Sequence, residues 1–506
     1  MKHHMIRTAL PYMAAGAMLL NSAAPVCADT DNHLTGQIGS FGAGGTDASA
    51  ENGDDYDYNC ALVVTADGID EASSNTGRLE GGSADGSSAA GFELEDDTSG
   101  HTGILVNNAA YTISDASISL LTDADGSDTC DFSGKGSAVA VFGEDADVTV
   151  ENSEIHTKGV AVMPVFADSG STVTIRESTL VSEGGTLNAE YMNTPDQGLM
   201  AAPPWILGIM GTSRCTNLMG NGTTMNVLDS DTSAGAWAVL STDSGEDMTL
   251  NVYNSTLTLT NADESQYPLQ AEDGQISETL DNPYTENYGS GYGSYVIGNA
   301  AETFAGSEIN AGTYGAILTG GSALYTSIEE GQEYELKNSD GETTAVYTAE
   351  EDKQTSIHSD TFGFMAHQGT NSITLEKGTE VESGYATFLV KTGASNQQLT
   401  AAVDDAEITN GGVLIQVMDN DDATNGGMMA ADAEENRNGG SQNFLQEHTE
   451  EAGFRTEEAQ ASASVQQFTF TNGTYEGNIY NASGSDGPEG SALYVTLGEG
   501  AVLSGG

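Results

Sequence analysis

One short pattern recurs along the chain and limits what it can fold into: an apolar residue, any residue, Asn/Asp/Gly or a similar turn residue, a small residue, any residue, then a second apolar or β-prone residue. It reads Ile113-Ser-Asp115-Ala-Ser-Ile118, Val150-Glu-Asn152-Ser-Glu-Ile155 and Ile175-Arg-Glu177-Ser-Thr-Leu180. It returns as Val227-Leu-Asp229-Ser-Asp-Thr232, Val252-Tyr-Asn254-Ser-Thr-Leu257, Phe304-Ala-Gly306-Ser-Glu-Ile309, Val403-Asp-Asp405-Ala-Glu-Ile408 and Phe470-Thr-Asn472-Gly-Thr-Tyr475. The steps from residue 150 to 175 and from 227 to 252 are both 25 residues.

Inside each unit the apolar positions alternate with period two: Val148, Val150 and Ile155 point one way and polar residues the other. A second apolar strand precedes most copies, as in Ser137-Ala-Val-Ala-Val-Phe-Gly143, Ala236-Trp-Ala-Val-Leu240 and Phe388-Leu-Val390. Helical 3.6-residue periodicity is hard to find. A unit this short cannot bury its inward side chains alone, so successive units must stack as coils, each backbone N–H pairing with a coil about 4.8 Å away. The Asn/Asp position suits a turn residue at φ > 0, where these side chains cost least after Gly. A β-propeller would need blades of about 40–45 residues, and a calcium-binding nonapeptide solenoid would need Gly-Gly-x-Gly-x-Asp units; neither spacing occurs.

The coil length, paired strands and Asn-Ser corners resemble right-handed parallel β-helix proteins of the pectin-lyase-like superfamily. They are most similar to exported, adhesin-like β-helix proteins of anaerobic bacteria. The expected fold is all-β: a right-handed parallel β-helix (solenoid) with long loop insertions, over residues 101–506. The spacing is interrupted near residues 184–222, 262–292 and 419–464, where insertions should leave the coil corners. Residues 29–100, rich in Gly, Ser and Asp, read as an acidic leader or irregular first coils.

Lys2, His3, His4 and Arg7, the apolar stretch Ala9 to Leu20 and Val26-Cys27-Ala28 form a secretory signal peptide over residues 1–28. No later apolar run approaches the roughly 20 residues of a membrane span. The 13 Lys and Arg face 76 Asp and Glu, a formal net charge of -63. Losing Lys2 and Arg7 with the leader makes it more negative still. No basic face for phosphates can be built from so few cations, which excludes nucleic acid as a partner. Export permits a disulfide, and Cys60, Cys130 and Cys215 leave two arrangements open: one bridge with one free thiol, or three buried thiols. The end of the chain, Leu497-Gly-Glu-Gly-Ala-Val-Leu503, reads as an ordinary strand and turn, so an unidentified C-terminal domain or anchor is expected to continue it.

Chemistry is sparse in the sequence. Asp123-Ala-Asp125-Gly-Ser-Asp128 spaces carboxylates around a Gly as a weak calcium loop would, without the terminal Glu of a full one. No cofactor is required, and calcium is the cation such a loop would take. Trp205 and the tyrosines Tyr284, Tyr288, Tyr292 and Tyr295 are candidates for a sugar-stacking platform; the competing reading of Trp205 is that it covers a β-helix face. Histidines 33, 101, 156, 358, 367 and 448 show no ligand spacing. Arg176 reads as an outward residue beside Glu177, and Arg214 has no nearby acid in sequence to define its role. Asp404 should point outward and Asp405 occupy a corner.

The expectation from the resemblance is a non-enzymatic, secreted or surface-displayed adhesin-like protein contacting glycans or proteins on another cell surface. The second reading is a polysaccharide lyase or glycoside hydrolase. It would require acidic and basic side chains from several coils to converge on one groove.

Overall fold

The computed structural model describes residues 58–122, 133–159, 162–184, 213–235, 238–243, 245–260, 291–312, 314–366, 369–391, 397–418, 464–482 and 492–505. Strand makes up 64% of the described residues and helix 1%, so the fold is an all-β parallel β-helix. Among them no helix is long and apolar enough to cross a membrane.

Each coil has three strands, which stack into three faces. One coil is Val139–Phe142 on the first face, Asp147–Glu151 on the second and Glu154–Lys158 on the third. The next is Val165–Asp168, Thr172–Arg176 and Thr179–Ser182, parallel and in register with the first. Val150 lies directly between Ile113 and Ile175 on adjacent coils. The stacking continues to Asn478–Ala482, Ala492–Leu497 and Ala501–Ser504. Residues 58–100 already belong to the stack: Leu62–Thr65 is a rung of the first face, and Ser88–Asp96 pairs with both Ala110–Ser114 and Ser117–Leu121. Inward Val, Ile, Leu and Phe residues from all faces form one continuous core, in which each buried aliphatic side chain contributes about 1.5–3 kcal/mol.

The corner between the second and third faces explains the repeat. The third residue of every copy has positive φ: Asp115 (50°), Asn152 (49°), Glu177 (48°), Asp229 (48°), Asn254 (46°), Gly306 (58°), Asp405 (49°) and Asn472 (44°). Side chains there bond along the stack, the Asn254 amide donating to Asp229 (2.8 Å) and the Asn472 amide to the outward Asp404 (2.8 Å). The small residue that follows is usually Ser because its hydroxyl is used. The backbone N–H of Ala116 donates to Ser153 Oγ (3.1 Å), Ser153 N–H to Ser178 Oγ (3.1 Å) and Ser178 N–H to Ser230 Oγ (3.2 Å). The series goes on through Ser255 (3.1 Å) and Ser307 (3.2 Å) to Thr355 (3.2 Å). Ser153, Ser178, Ser230, Ser255 and Ser307 also donate to the carbonyl two residues back, giving a buried ladder with both hydroxyl roles filled.

A hairpin of Glu333–Lys337 and Thr343–Thr348, unforeseen in the sequence, leaves the same corner and packs on the second face. Leu336 and Tyr347 cover Leu228, Tyr253 and Ala305. Tyr347 OH bonds Asp229 (3.1 Å), and the Asn226 amide bonds Thr344 (3.3 Å). Thr224–Leu228 and Thr249–Tyr253 are therefore buried on both sides.

Candidate functional site

The first face is also buried on its outward side over much of its length. Its central outward row runs Val63, Leu105, Ala140, Phe166, Asn217 in successive register, and continues Ser241, Tyr295, Ile317, Met365, Leu389. The row is apolar except at Asn217 and Ser241, on the coils that join through the Leu218–Thr242 bridge. This polar break is the candidate site.

Arg214 supplies its charge. The guanidinium Nη1 donates to Ser241 Oγ (2.8 Å), Asn217 Oδ1 (3.2 Å) and Asp243 Oδ2 (3.3 Å), and Nη2 donates to Asp243 Oδ2 at 3.3 Å. The side chains of Arg214 and Asp243 are 0% and 6% exposed, so the pair is removed from solvent. The Ser241 hydroxyl bonds the Thr216 carbonyl (3.0 Å), which fixes the acceptor that Arg214 uses. Tyr295 borders the cluster; burial, then the Asp243 charge, raise its hydroxyl well above the ordinary phenol range. Thr319 Oγ1 donates to that phenol oxygen at 3.4 Å.

A second carboxylate lies along the same face. Asp168 occupies the outward row next to that of Asn217, with Met219 on the coil between it and Asp243, because Asp243 N–H donates to Leu218 O and Met219 N–H to Ala167 O. Two coil steps separate the two acids, roughly 10 Å at the usual strand spacing. Burial pushes the Asp168 carboxyl up to about 6, opposed by hydrogen bonds from Ser169. Gly220 makes room for it: a Cβ there would lie 2.1 Å from Asp168 Oδ1, and its φ of +72° already favours glycine.

Asp123, Asp125, Asp128, Trp205, Tyr284, Tyr288 and Cys130 lie outside the described residues, as do residues 1–28. Tyr292 begins strand Tyr292–Ala305, is 2% exposed, and packs on Tyr295 with ring centroids 5.6 Å apart, so its ring is committed to packing. Among the described residues, no three His, Cys, Asp or Glu side chains gather as a metal site. Cys60 and Cys215 are both buried; the Cys215 thiol donates to Ser233 O (2.8 Å), and burial pushes it up to about 12.

Arg214 is a correction: Asp243, one coil on, defines its role. Sequence reasoning missed this because the partner is 29 residues away, across a coil boundary. The available signal was positional, since Asp168 and Asp243 each occupy the outward position two beyond the central row in their own coils. No family model, curated protein or solved structure matches the chain.

Proposed function

We propose that this chain is an exported, surface-displayed scaffold that binds glycan or protein on another cell, as an adhesin-like β-helix would. The observation that carries the reading is where the insertions leave the stack. The described residues flanking 185–212 and 261–290 stand at the corner from third to first face: Thr179–Ser182 before Thr216–Leu218, and Thr256–Leu259 before Tyr292. Those flanking 419–463 stand at the corner from first to second face, between Val413–Met418 and Val465–Thr471. The described flanks of all three thus border the first face, as suits recognition segments held by a regular scaffold. The formal charge of -63 favours partners that are neutral or cationic. The test is binding of the labelled chain to glycan arrays and cells, with and without replacement of 419–463 by a short Gly-Ser linker. Binding that falls with the replacement, at unchanged circular dichroism, supports the reading. Silence of the intact chain on every surface overturns it.

A second reading, a polysaccharide lyase or glycoside hydrolase, draws on the convergence of Arg214, Asp243 and Asp168 along one face. A carboxyl held partly protonated near pH 6, two coil steps from an ion-paired one, is the division of labour that acid–base hydrolysis needs. Reducing-end release or unsaturated-uronide absorbance, abolished in Asp168→Asn and Asp243→Asn, would establish it in place of the first.

A further inference from the structure

The interior of the solenoid is apolar almost throughout, but at one level it holds a carboxylic acid. Glu302 points inward from the second-face half of strand Tyr292–Ala305, between Leu250 on one coil and Ala323 on the next, and is 1% exposed. Ser294, on the first-face half of the same strand, points into the core between Leu240 and Ala316 and is 0% exposed. Tyr325, from the following coil, is also 0% exposed; its ring stacks on Phe304 and lies tilted against Phe364, with centroids 5.2 Å away in each case.

The polar atoms of these three side chains, Glu302 Oε1 and Oε2, Ser294 Oγ and Tyr325 OH, lack a well-aligned hydrogen-bond partner. The Ser294 hydroxyl is the polar neighbour that both Glu302 and Tyr325 feel. Orphaned polar atoms in a core are costly, and several of them together mark a place where a small polar guest satisfies them. The residues stacked above are small, Ala323 over Glu302 and Ala316 over Ser294.

We propose that the core binds an ordered water molecule here, shared by the Glu302 carboxyl and the Ser294 and Tyr325 hydroxyls, with the carboxyl in its neutral, protonated form. The charge state follows from the surroundings. The strands packed against Glu302 turn Leu250, Ala323, Phe304, Val296 and Ile309 into the same core, and Tyr325 is the titratable group that faces it. None of these compensates a buried carboxylate for its lost hydration. A protonated carboxyl donates one hydrogen bond and accepts others, and so completes a network with a water and two hydroxyls. Burial pushes this carboxyl up to about 8, so the neutral form prevails at pH 7. Because the folded value lies above the ordinary 4.5, the stability tied to the proton is complete below about pH 4.5 and lost as pH rises through about 8.

Two measurements on the intact chain test this. Infrared difference spectra should show the carbonyl stretch of a protonated carboxylic acid at pH 7, lost on raising the pH through about 8 and absent in Glu302→Gln. A high-resolution crystal structure of the wild type near pH 6 should show one water within hydrogen-bond reach of all three side chains. The proposal is overturned if the acid band is missing at pH 7 in the wild type. It is equally overturned if the density shows a bound cation, or direct carboxyl–hydroxyl contacts with no water. Both wild-type readouts stand even where Glu302→Gln fails to fold.

Discussion

Replacing Ser230 by Ala is a sharp probe of the corner ladder. Ser230 Oγ accepts from Ser178 N–H at 3.2 Å and donates to Leu228 O at 2.7 Å, and Ser178 and Ser230 are 4% and 3% exposed. The Leu228 carbonyl also accepts from Glu177 N–H at 3.0 Å, so it stays satisfied when the hydroxyl is removed. The loss falls on Ser178 N–H, left without its partner at a buried corner. An unsatisfied buried donor costs about 1–3 kcal/mol, so Ser230→Ala should destabilise by about that much. The outward Ser119→Ala should stay within about 0.5 kcal/mol. Urea titrations read the difference as a shift in midpoint at constant slope. Because coils in a stack open locally, amide exchange at Ser178 should quicken more than exchange in distant coils. If Ser230→Ala behaves like Ser119→Ala and Ser178 protection is unchanged, the hydroxyls do not carry the corner bonds and the ladder argument fails.

Other outcomes follow from the same contacts. Asp243→Asn should cost about 3–5 kcal/mol by removing the Asp243 charge from its buried pair with Arg214, and Arg214→Leu with Asp243→Leu should cost less than that single change, as read by chemical denaturation. Asn254→Val should cost about 1–2 kcal/mol more than Asn254→Gly, because both lose the side-chain bonds to Asp229 and Lys353 but only the β-branched residue is strained at φ 46°; thermal melts compare them. The Asp168 carboxyl, raised from 3.8 to about 6, binds its proton more tightly in the folded chain. Its stabilising contribution is therefore complete below about pH 3.8 and lost as pH rises through about 6; Asp168→Asn should flatten the stability profile there by up to about 3 kcal/mol.

The fold was legible because its unit is local. Val148, Val150 and Ile155 announce two strands and a corner within eight residues, and positive φ recurs wherever the repeat places Asn, Asp, Glu or Gly in third position. Coils in which that corner is lengthened escaped notice. Leu375-Glu-Lys-Gly378-Thr-Glu-Val381 carries one residue too many, although Gly378 still has φ +84° and Val381 still stacks on Ile357. The hairpin was hidden because Tyr334, Leu336 and Tyr347 have the alternation of yet another coil; only its antiparallel pairing distinguishes it. The site was less legible for a physical reason. Arg214, Asn217, Ser241 and Asp243 meet through coil stacking, and the register of Leu218 with Thr242 depends on how much chain each corner extrudes. The repeat marks the residue after the corner only as small, whereas the stacked N–H groups mostly use a hydroxyl there.

Distances along the stack test the central claim most directly. Ser119, His156, Val181, Ser233, Thr258, Asn310, His358, Glu382 and Thr409 follow one another in register up the third face. Nitroxide pairs placed by cysteine substitution, with the native cysteines replaced, report these separations by pulsed electron resonance. At about 4.8 Å per rung, Ser119 to Thr258 should read roughly 19 Å and Ser119 to Thr409 roughly 38 Å, rising linearly with coils crossed. Separations that miss these values, or that do not rise by equal steps across coils of unequal length, would contradict a chain wound as stacked β coils.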